Sequence, residues 1–325
     1  MSAAERIAAG ARPTAQDAPA GAGAPDAERA ACGRAAAGEP GVQQRAGAAA
    51  AASEAAPAAL CDLHVHLGFA ANAARLARDL AASGTGALCA TVEPDEFLRL
   101  QRILPDLEEV RLGVGLHPWW IADGRCGEAD VAACERLAAQ ARFIAEVGLD
   151  FGRRHGTARD AQLDAFGRIC AVAGRAGGKV LSIHAVNAAA EALDVLERAG
   201  CVGAASGDGR GAVAPAPCAC ILHWYSGPSD QLQRAIARGC FFSVGERMLA
   251  TRRGRAYARA IPANRLVLET DLPEAPCNAY DAALIRASLA RALAALEEVR
   301  DESMGAAVIR NSRMLLAWGE ADGGR

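Results

Sequence analysis

Residues 60–66 read LCDLHVH, a short apolar run that contains two of the six histidines of the chain. A run of leucine and valine of this length predicts a buried strand. Because side chains alternate between the two faces of a strand, His64 and His66 point the same way, together with Asp62. Two imidazoles on one face can bind the same metal ion. The stretch therefore predicts a strand whose end contributes to a metal site.

Seven similar runs follow it, and helical patterns separate them. The eight predicted strands cover residues 60–66, 86–92, 111–117, 142–148, 179–184, 219–224, 240–245 and 265–270. Eight such units over roughly 265 residues are typical of a (β/α)8 TIM barrel. A doubly wound open sheet would need a glycine-rich phosphate loop after an early strand, and the sequence has none. We therefore predict an α/β fold of the (β/α)8 barrel type.

Three segments differ from the rest in composition. Residues 1–58 are dominated by alanine, glycine and proline and contain few large apolar side chains. Such a segment cannot bury enough surface to offset its ordering entropy, so we expect a disordered tail. We also expect a flexible insertion at 203–217 and a short tail at 320–325. The barrel domain is predicted to span residues 59–319.

Charge and cysteine content narrow the functional class. The 325 residues have a formal net charge of −3, so the protein is not a globally basic nucleic-acid binder. The eleven cysteines have no disulfide-framework spacing, which predicts reduced thiols in a cytoplasmic protein. No apolar run is long enough for a membrane span. We expect a monomer without a membrane partner.

Polar and ionisable residues stand where the predicted strands end, which is where TIM barrels place their working residues. A single buried histidine is more often a hydrogen-bonded core residue than a ligand. Seven residues at one barrel mouth, however, predict a metal site. They are His64, His66, His117, Glu146, His184, His223 and Asp271. Imidazole and carboxylate ligands suit zinc, manganese or iron, and a part richer in carboxylate and water suits magnesium or manganese.

Seven short motifs follow one another in a fixed order. They are DLHVH (62–66), GLHPW (115–119), EVGLDF (146–151), IH (183–184), LHWYSG (222–227), LETDLP (268–273) and NSRMLL (311–316). In this order they resemble the TatD-family metal-dependent hydrolases of the amidohydrolase-like barrel superfamily. The resemblance covers about residues 59–318 and implies a metal-dependent barrel hydrolase.

The resemblance also implies two divalent metal ions, with Mg, Mn or Zn as the possible metals. Each ion would have its own ligands, and one carboxylate would bridge the two. The first set is His64, His66 and Asp271, the second is His184 and His223, and the bridge is Glu146. TatD-like enzymes are typically deoxyribonucleases, some of them 3′ exonucleases. Single-stranded or frayed DNA is therefore the expected substrate.

The implied mechanism is hydrolysis by a metal-activated water. Asp271 would orient this water and take its proton, and Glu146 would act through the metals. Substrate contacts are expected from arginines, which match phosphate geometry, and from an aromatic side chain that can stack on bases. The predicted substrate-binding residues are His117, Arg153, Arg154, Trp224 and Arg247.

One departure from the family pattern bears on the substrate. Val186 stands where many relatives have an arginine that could hold a phosphate. Two alternatives therefore stay open beside the nuclease. The same site could hydrolyse a small-molecule amide, ester or lactone, which predicts no affinity for nucleic acid. It could also bind metal or a partner without turnover.

Overall fold

The computed structural model describes residues 60–203 and 216–318. The predicted tail at 1–58, nearly all of the predicted insertion at 203–217 and the tail at 320–325 lie outside the described residues.

Eight parallel strands form one sheet in which the spatial order equals the chain order. They are β1 (Cys61–Val65), β2 (Gly86–Ala90), β3 (Val110–Leu116), β4 (Phe143–Asp150), β5 (Val180–Val186), β6 (Ala219–His223), β7 (Phe241–Val244) and β8 (Leu266–Leu268). This confirms the predicted (β/α)8 barrel. Two strands run further than predicted, so Glu146 and His184 lie within β4 and β5 and not at their ends. The longer pairing of β4 with β5, which continues to Asp150 and Val186, accounts for the difference.

Helices connect the strands and pack around them. In chain order they are α1 (Ala73–Ala82), α2 (Pro94–Ile103), α3 (Pro118–Ala122), α4 (Glu128–Gln140), α5 (Arg159–Ala176), α6 (Ala189–Arg198), α7 (Ser229–Ala237), α8 (Glu246–Leu249), α9 (Arg252–Ala260), α10 (Ala282–Arg300) and α11 (Gly305–Leu316). The helices form because their apolar residues recur at helical spacing. In α1, for example, the buried residues lie on the one face that packs against the sheet. Within the described ranges, no helix is long and apolar enough to cross a membrane.

The apolar core has two parts. The larger part lies between the sheet and the surrounding helices. The smaller part includes Ile221 in β6, Val267 in β8 and Leu315 in α11. Since Ile221 and His223 share one face of β6, this smaller cluster fills the barrel directly beneath the predicted site.

The barrel closes between β1 and the segment that follows β8. The backbone N–H of Asp271 donates to the carbonyl of His64 at 2.9 Å, and that of His66 donates to the carbonyl of Leu272 at 2.8 Å. Asp62 joins this seam and does not reach the metal-binding groups. Its carboxylate accepts hydrogen bonds from the backbone and hydroxyl of Thr270. The seam thereby places Asp271 next to His66.

Candidate metal centre

A buried carboxylate, that of Glu146 in β4, lies at the centre of the barrel mouth. Its Oε2 lies 3.5 Å from His64 Nε2 and 3.6 Å from His66 Nε2. Its Oε1 lies 2.8 Å from His184 Nδ1 and 3.0 Å from His223 Nε2. The two oxygens thus face two different pairs of imidazoles, and His64, His66 and Glu146 are close enough to hold a metal ion.

Gly148 allows this arrangement, because β4 passes very close to β5 at this point. A Cβ at Gly148 would lie 2.0 Å from the carbonyl oxygen of His184, and the backbone φ of 145° is one that other residues rarely adopt. Glu146 and Asp150 stand on either side of this glycine. The close approach brings them to opposite nitrogens of the His184 ring.

Asp271 adds a second carboxylate on the side of β1. Its Oδ1 lies 3.2 Å from His66 Nε2. The backbone of Asp271 has a φ of 60°, and Trp224, directly after His223, has a φ of 40°. Left-handed conformations of residues with a Cβ are strained and cluster at functional sites. Trp224 directly follows β6, and Asp271 lies in the segment after β8 that closes the barrel.

Ser182 in β5 fixes the orientation of His64. Its Oγ lies 2.6 Å from His64 Nδ1. When Nδ1 donates its proton to this hydroxyl oxygen, Nε2 keeps its lone pair and presents it to Glu146. His64 Nε2 is buried and has no hydrogen-bond partner. A buried nitrogen with a free lone pair fits a metal ion, since without a partner it costs free energy.

Carboxylates also lie beside the outer ring nitrogens of the second pair of imidazoles. Asp150 Oδ2 lies 3.3 Å from His184 Nε2, and Glu269 Oε2 lies 3.5 Å from His223 Nδ1. When the outer nitrogen of His184 donates a hydrogen bond to Asp150, its inner nitrogen presents a lone pair toward Glu146. His223 Nδ1 lies near Glu269 but makes no hydrogen bond. Such carboxylate–imidazole pairs are the usual surroundings of metal-binding histidines.

His117 is as close to Glu146 but carries its proton on the other nitrogen. Its Nε2 lies 3.2 Å from Glu146 Oε1, and His117, Glu146 and His184 could share an ion by distance alone. However, His117 Nδ1 accepts a hydrogen bond from the backbone N–H of Trp119 at 3.1 Å. The neutral ring therefore has its proton on Nε2, which then donates and does not bind a metal. This favours the predicted contact with substrate.

The pKa values follow from burial and from the central carboxylate. Burial raises the pKa of Glu146, but the charges of the surrounding imidazoles outweigh it and hold that pKa well below its usual range. Burial alone would lower the pKa of His223, yet attraction to Glu146 raises it well above the usual value. Burial dominates at His117 and lowers its pKa to about 4. His117 is therefore neutral, as its hydrogen bonds require.

Metal affinity is expected to rise with pH. The pKa values of His66, His184 and His223 are raised in the metal-free protein, so protons occupy these rings below the raised values. A metal ion must displace them, and its apparent affinity should increase about tenfold per pH unit for each proton released, levelling off above those pKa values. Isothermal titration with Mn²⁺ or Zn²⁺ at three pH values around neutrality measures this. An affinity independent of pH would contradict the assignment.

Ser182→Ala should weaken metal binding by about 10- to 100-fold, because His64 loses the acceptor that orients its ring. Ser312→Ala is a matched control, since Ser312 is also buried but belongs to α11, outside the centre. Metal titration of the two variants makes the comparison. Equal affinities would show that Ser182 has no part in orienting His64.

A cavity of about 600 Å³ opens onto the centre. Three of the four tryptophans of the chain line it, namely Trp119, Trp120 and Trp224, together with two arginines, Arg125 and Arg247. A mostly aromatic and apolar wall with a few polar groups at its base is the usual form of a ligand site.

The predicted site residues divide into two groups. The other five predicted metal ligands meet around the sixth, Glu146, and three of the predicted substrate residues, His117, Trp224 and Arg247, line the cavity. Arg153 and Arg154 are exposed in the loop after β4 and do not line it. Their contact with substrate stays a prediction.

Three polar residues beside the imidazoles were not predicted from the sequence. Ser182 stands two positions before His184, and Glu269 stands two positions before Asp271. Since side chains two apart share a strand face, polar residues at this spacing from a predicted ligand were a usable signal. Asp150 belongs to the same pattern, four residues after Glu146.

Comparison with known proteins gives the family. The model of the family described as TatD related DNase matches residues 61–317. The chain belongs to this family. The match covers every strand of the barrel and each residue of the metal centre.

Two curated relatives resemble parts of this TatD-family chain. The 3'-5' ssDNA/RNA exonuclease TatD of Edwardsiella piscicida is 30% identical over 186 residues, which are 56% of this chain and 64% of that protein. The deoxyribonuclease Tat-D of Schizosaccharomyces pombe is 29% identical over 128 residues, 39% of this chain and 36% of that protein. The chain thus matches less than two thirds of the length of either relative.

Solved structures of the family share the fold. The TatD homologue YJJV of Escherichia coli superimposes with a TM-score of 0.61 at 19% identity, covering 79% of this chain and 97% of that one. A TatD-family hydrolase of Entamoeba histolytica gives a TM-score of 0.59 at 13% identity, covering 79% and 97%. These similarities support the barrel architecture.

Proposed function

We propose that this TatD-family chain is a divalent-metal-dependent deoxyribonuclease that hydrolyses phosphodiester bonds of single-stranded or frayed DNA from the 3′ end. One observation carries the proposal. The two oxygens of the buried Glu146 carboxylate face two separate pairs of imidazoles at the floor of a cavity with aromatic walls. The two curated relatives, a deoxyribonuclease and a 3'-5' ssDNA/RNA exonuclease, support the same substrate class.

Two divalent ions, Mg, Mn or Zn, fit the side chains at this centre. The donor set is imidazole and carboxylate, and the buried Nε2 of His64 has no other partner. The first ion would be held by His64, His66 and Asp271, the second by His184 and His223, with Glu146 between them. When bound, such ions supply Lewis acidity that activates water and polarises a phosphoryl oxygen.

Side chains of the protein would orient the attacking water, accept its proton and hold the substrate. Burial raises the pKa of Asp271, but its hydrogen bond with His66 and the nearby imidazoles lower it to about 2. The carboxylate is therefore ionised at neutral pH, can orient the attacking water and can accept its proton. His117 holds its proton on Nε2 and can donate it in a hydrogen bond to a phosphoryl oxygen of the substrate.

A second candidate is the hydrolysis of a small-molecule amide, ester or lactone. The observation in its favour is the wall of the cavity at the end of β5, where Ala185 and Val186 present apolar side chains next to the centre. The same metal chemistry serves carbonyl substrates. Such an enzyme would bind no DNA.

We further propose that the protein works in the cytoplasm. The cysteines support this, since the ten that the structure describes are all free thiols, nine of them buried. The monomeric state stays a prediction from the sequence.

A cleavage assay tests the proposal. The protein is stripped with a chelator and reloaded separately with Mg²⁺, Mn²⁺ or Zn²⁺, then given 5′-labelled single-stranded DNA, blunt duplex, and duplex with an unpaired 3′ end. We expect a ladder that shortens from the 3′ end with metal and is absent with chelator, and faster cleavage of the frayed duplex than of the blunt one. Intact DNA with every metal, beside hydrolysis of small esters or lactones, would instead establish the second candidate.

A further inference from the structure

Trp120 and Arg125 form a guanidinium–indole pair at the mouth of the cavity. The guanidinium carbon of Arg125 lies 4.1 Å from the centroid of the Trp120 ring, and both residues line the cavity. The Trp120 ring also approaches the centre, since its centroid is 5.6 Å from that of His117. About half of the Arg125 side chain is exposed, at 51%. The pair thus leads from the metal centre to solvent.

A second pair of the same kind stands on the other side of the mouth. The guanidinium carbon of Arg247 lies 4.9 Å from the centroid of the Trp224 ring, and both residues line the cavity. Arg125 belongs to the connection after β3, and Arg247 to the connection after β7. These two strands are opposite one another in the order of an eight-stranded barrel. The metal centre therefore lies between the two pairs.

The two arginines differ in their carboxylate partners. Arg247 lies 3.7 Å from Asp271 Oδ2 and 3.3 Å from Glu274 Oε1, so it pairs with one carboxylate of the centre and with a second, exposed one. Arg125 pairs with Asp123 at 3.1 Å, away from those carboxylates. Two arginines of the described chain line the cavity. Of these, Arg125 can bind a phosphate without breaking an ion pair with Asp271.

A smaller cavity of about 340 Å³ adjoins the first and shares Trp120 as a wall. Glu93, Asp95 and Glu96 line it, against a single arginine, Arg99. This excess of negative charge repels phosphate. A nucleic-acid strand bound in the main cavity would therefore be repelled beyond Trp120. On the side of the smaller cavity, Trp120 and Arg125 are the outermost residues that can bind it.

We propose that Trp120 and Arg125 form a nucleotide subsite, in which the indole stacks on a base and the guanidinium binds the adjoining phosphate. Trp224 and Arg247 bind the neighbouring nucleotide, and the scissile phosphate lies between them at the metal centre. The substrate class is a single strand of at least two unpaired nucleotides, because a base within a duplex offers no free face to an indole. This inference rests on the proposed nuclease function.

Steady-state kinetics of the metal-loaded, full-length protein test it, with oligothymidylate and bis(p-nitrophenyl) phosphate as substrates. Arg125→Ala should raise KM for oligothymidylate about tenfold and leave kcat within about twofold. The small diester has a single phosphate, which binds at the metal centre and does not reach Arg125. Its kinetics should therefore be the same in Arg125→Ala and in the wild type. Since one phosphate contact is lost, the slope of log affinity against log salt should fall in magnitude by about 0.7.

Trp120→Ala should also raise KM for oligothymidylate about tenfold. Trp120→Phe should recover much of that lost affinity, because phenylalanine can still stack on a base.

Arg286→Ala is the control, because Arg286 is exposed on α10, away from the cavity. If Arg125→Ala matches wild type and this control in KM and salt slope, the inference is wrong. It is equally wrong if activity on both substrates falls together, which would indicate damage to the metal centre. A wild-type protein that neither binds nor cleaves oligothymidylate would overturn the proposed nuclease function, and the subsite with it.

Discussion

Glu146→Gln should lower kcat/KM on single-stranded DNA by about 10³-fold or more. The carboxylate supplies both oxygens that face the two pairs of imidazoles, so its loss removes the charge that holds both metal positions together. Metal ions are worth several kcal/mol of transition-state stabilisation, and each 1.36 kcal/mol is tenfold in rate. Metal content after dialysis should fall together with activity.

Glu108→Gln provides the matched control, since Glu108 is exposed and outside the centre. Circular dichroism and thermal melting of both variants separate loss of the centre from loss of the fold. A Glu146→Gln protein that keeps wild-type turnover and metal content would refute the assignment of Glu146 as the bridging ligand.

Asp271→Asn should lower kcat on the same substrate by about 10²- to 10⁴-fold at saturating metal, the range of a general base, with KM changed much less. Asparagine keeps the size of the side chain but cannot accept the proton of the attacking water. The backbone hydrogen bond from Asp271 to His64 is unaffected by the change. Measured at saturating metal, the loss reflects the proton-transfer step and not reduced metal occupancy.

The exposed Asp106 gives a control of the same chemical type, Asp106→Asn. Rapid-quench measurement of a single turnover reports the chemical step directly. If Asp271→Asn raised KM and left the single-turnover rate unchanged, Asp271 would be a binding residue and not the base.

Much of the fold and of the centre could be predicted from the sequence, for physical reasons. Parallel strands buried on both faces read as short apolar runs, and the eight runs were all found. Histidine and carboxylate are rare inside such runs, so His64, Glu146 and His223 stood out against their apolar neighbours. Because every strand of a barrel ends at the same mouth, chain position alone brought these residues together.

Contacts between side chains of different strands could not be predicted in this way. That Ser182 meets His64, or that Asp150 meets His184, depends on the stagger of the barrel and on the close passage of β4 at Gly148. Arg125 was missed for another reason. It follows the five-residue helix α3 in a connection that has no periodic pattern, so only the folded chain places it beside Trp120.

The hydrogen-bond partners of the imidazoles differ. His64 and His184 have groups that can accept a hydrogen bond beside their outer nitrogens, whereas His117 has a donor, the backbone N–H of Trp119. This difference supports the proposed roles of His64 and His184 as metal ligands and of His117 as a substrate contact, although all three imidazoles lie within 3.5 Å of Glu146. Sequence alone treats these histidines as equivalent.

Every proposed step depends on metal ions at Glu146, and anomalous diffraction from crystals grown with Mn²⁺ would locate them. We expect two anomalous peaks, one on the side of His64 and His66 and one on the side of His184 and His223, with the Glu146 carboxylate between them and His117 bound to neither. Absence of any peak at Glu146 at saturating Mn²⁺, or a peak coordinated by His117 Nε2, would contradict this expectation.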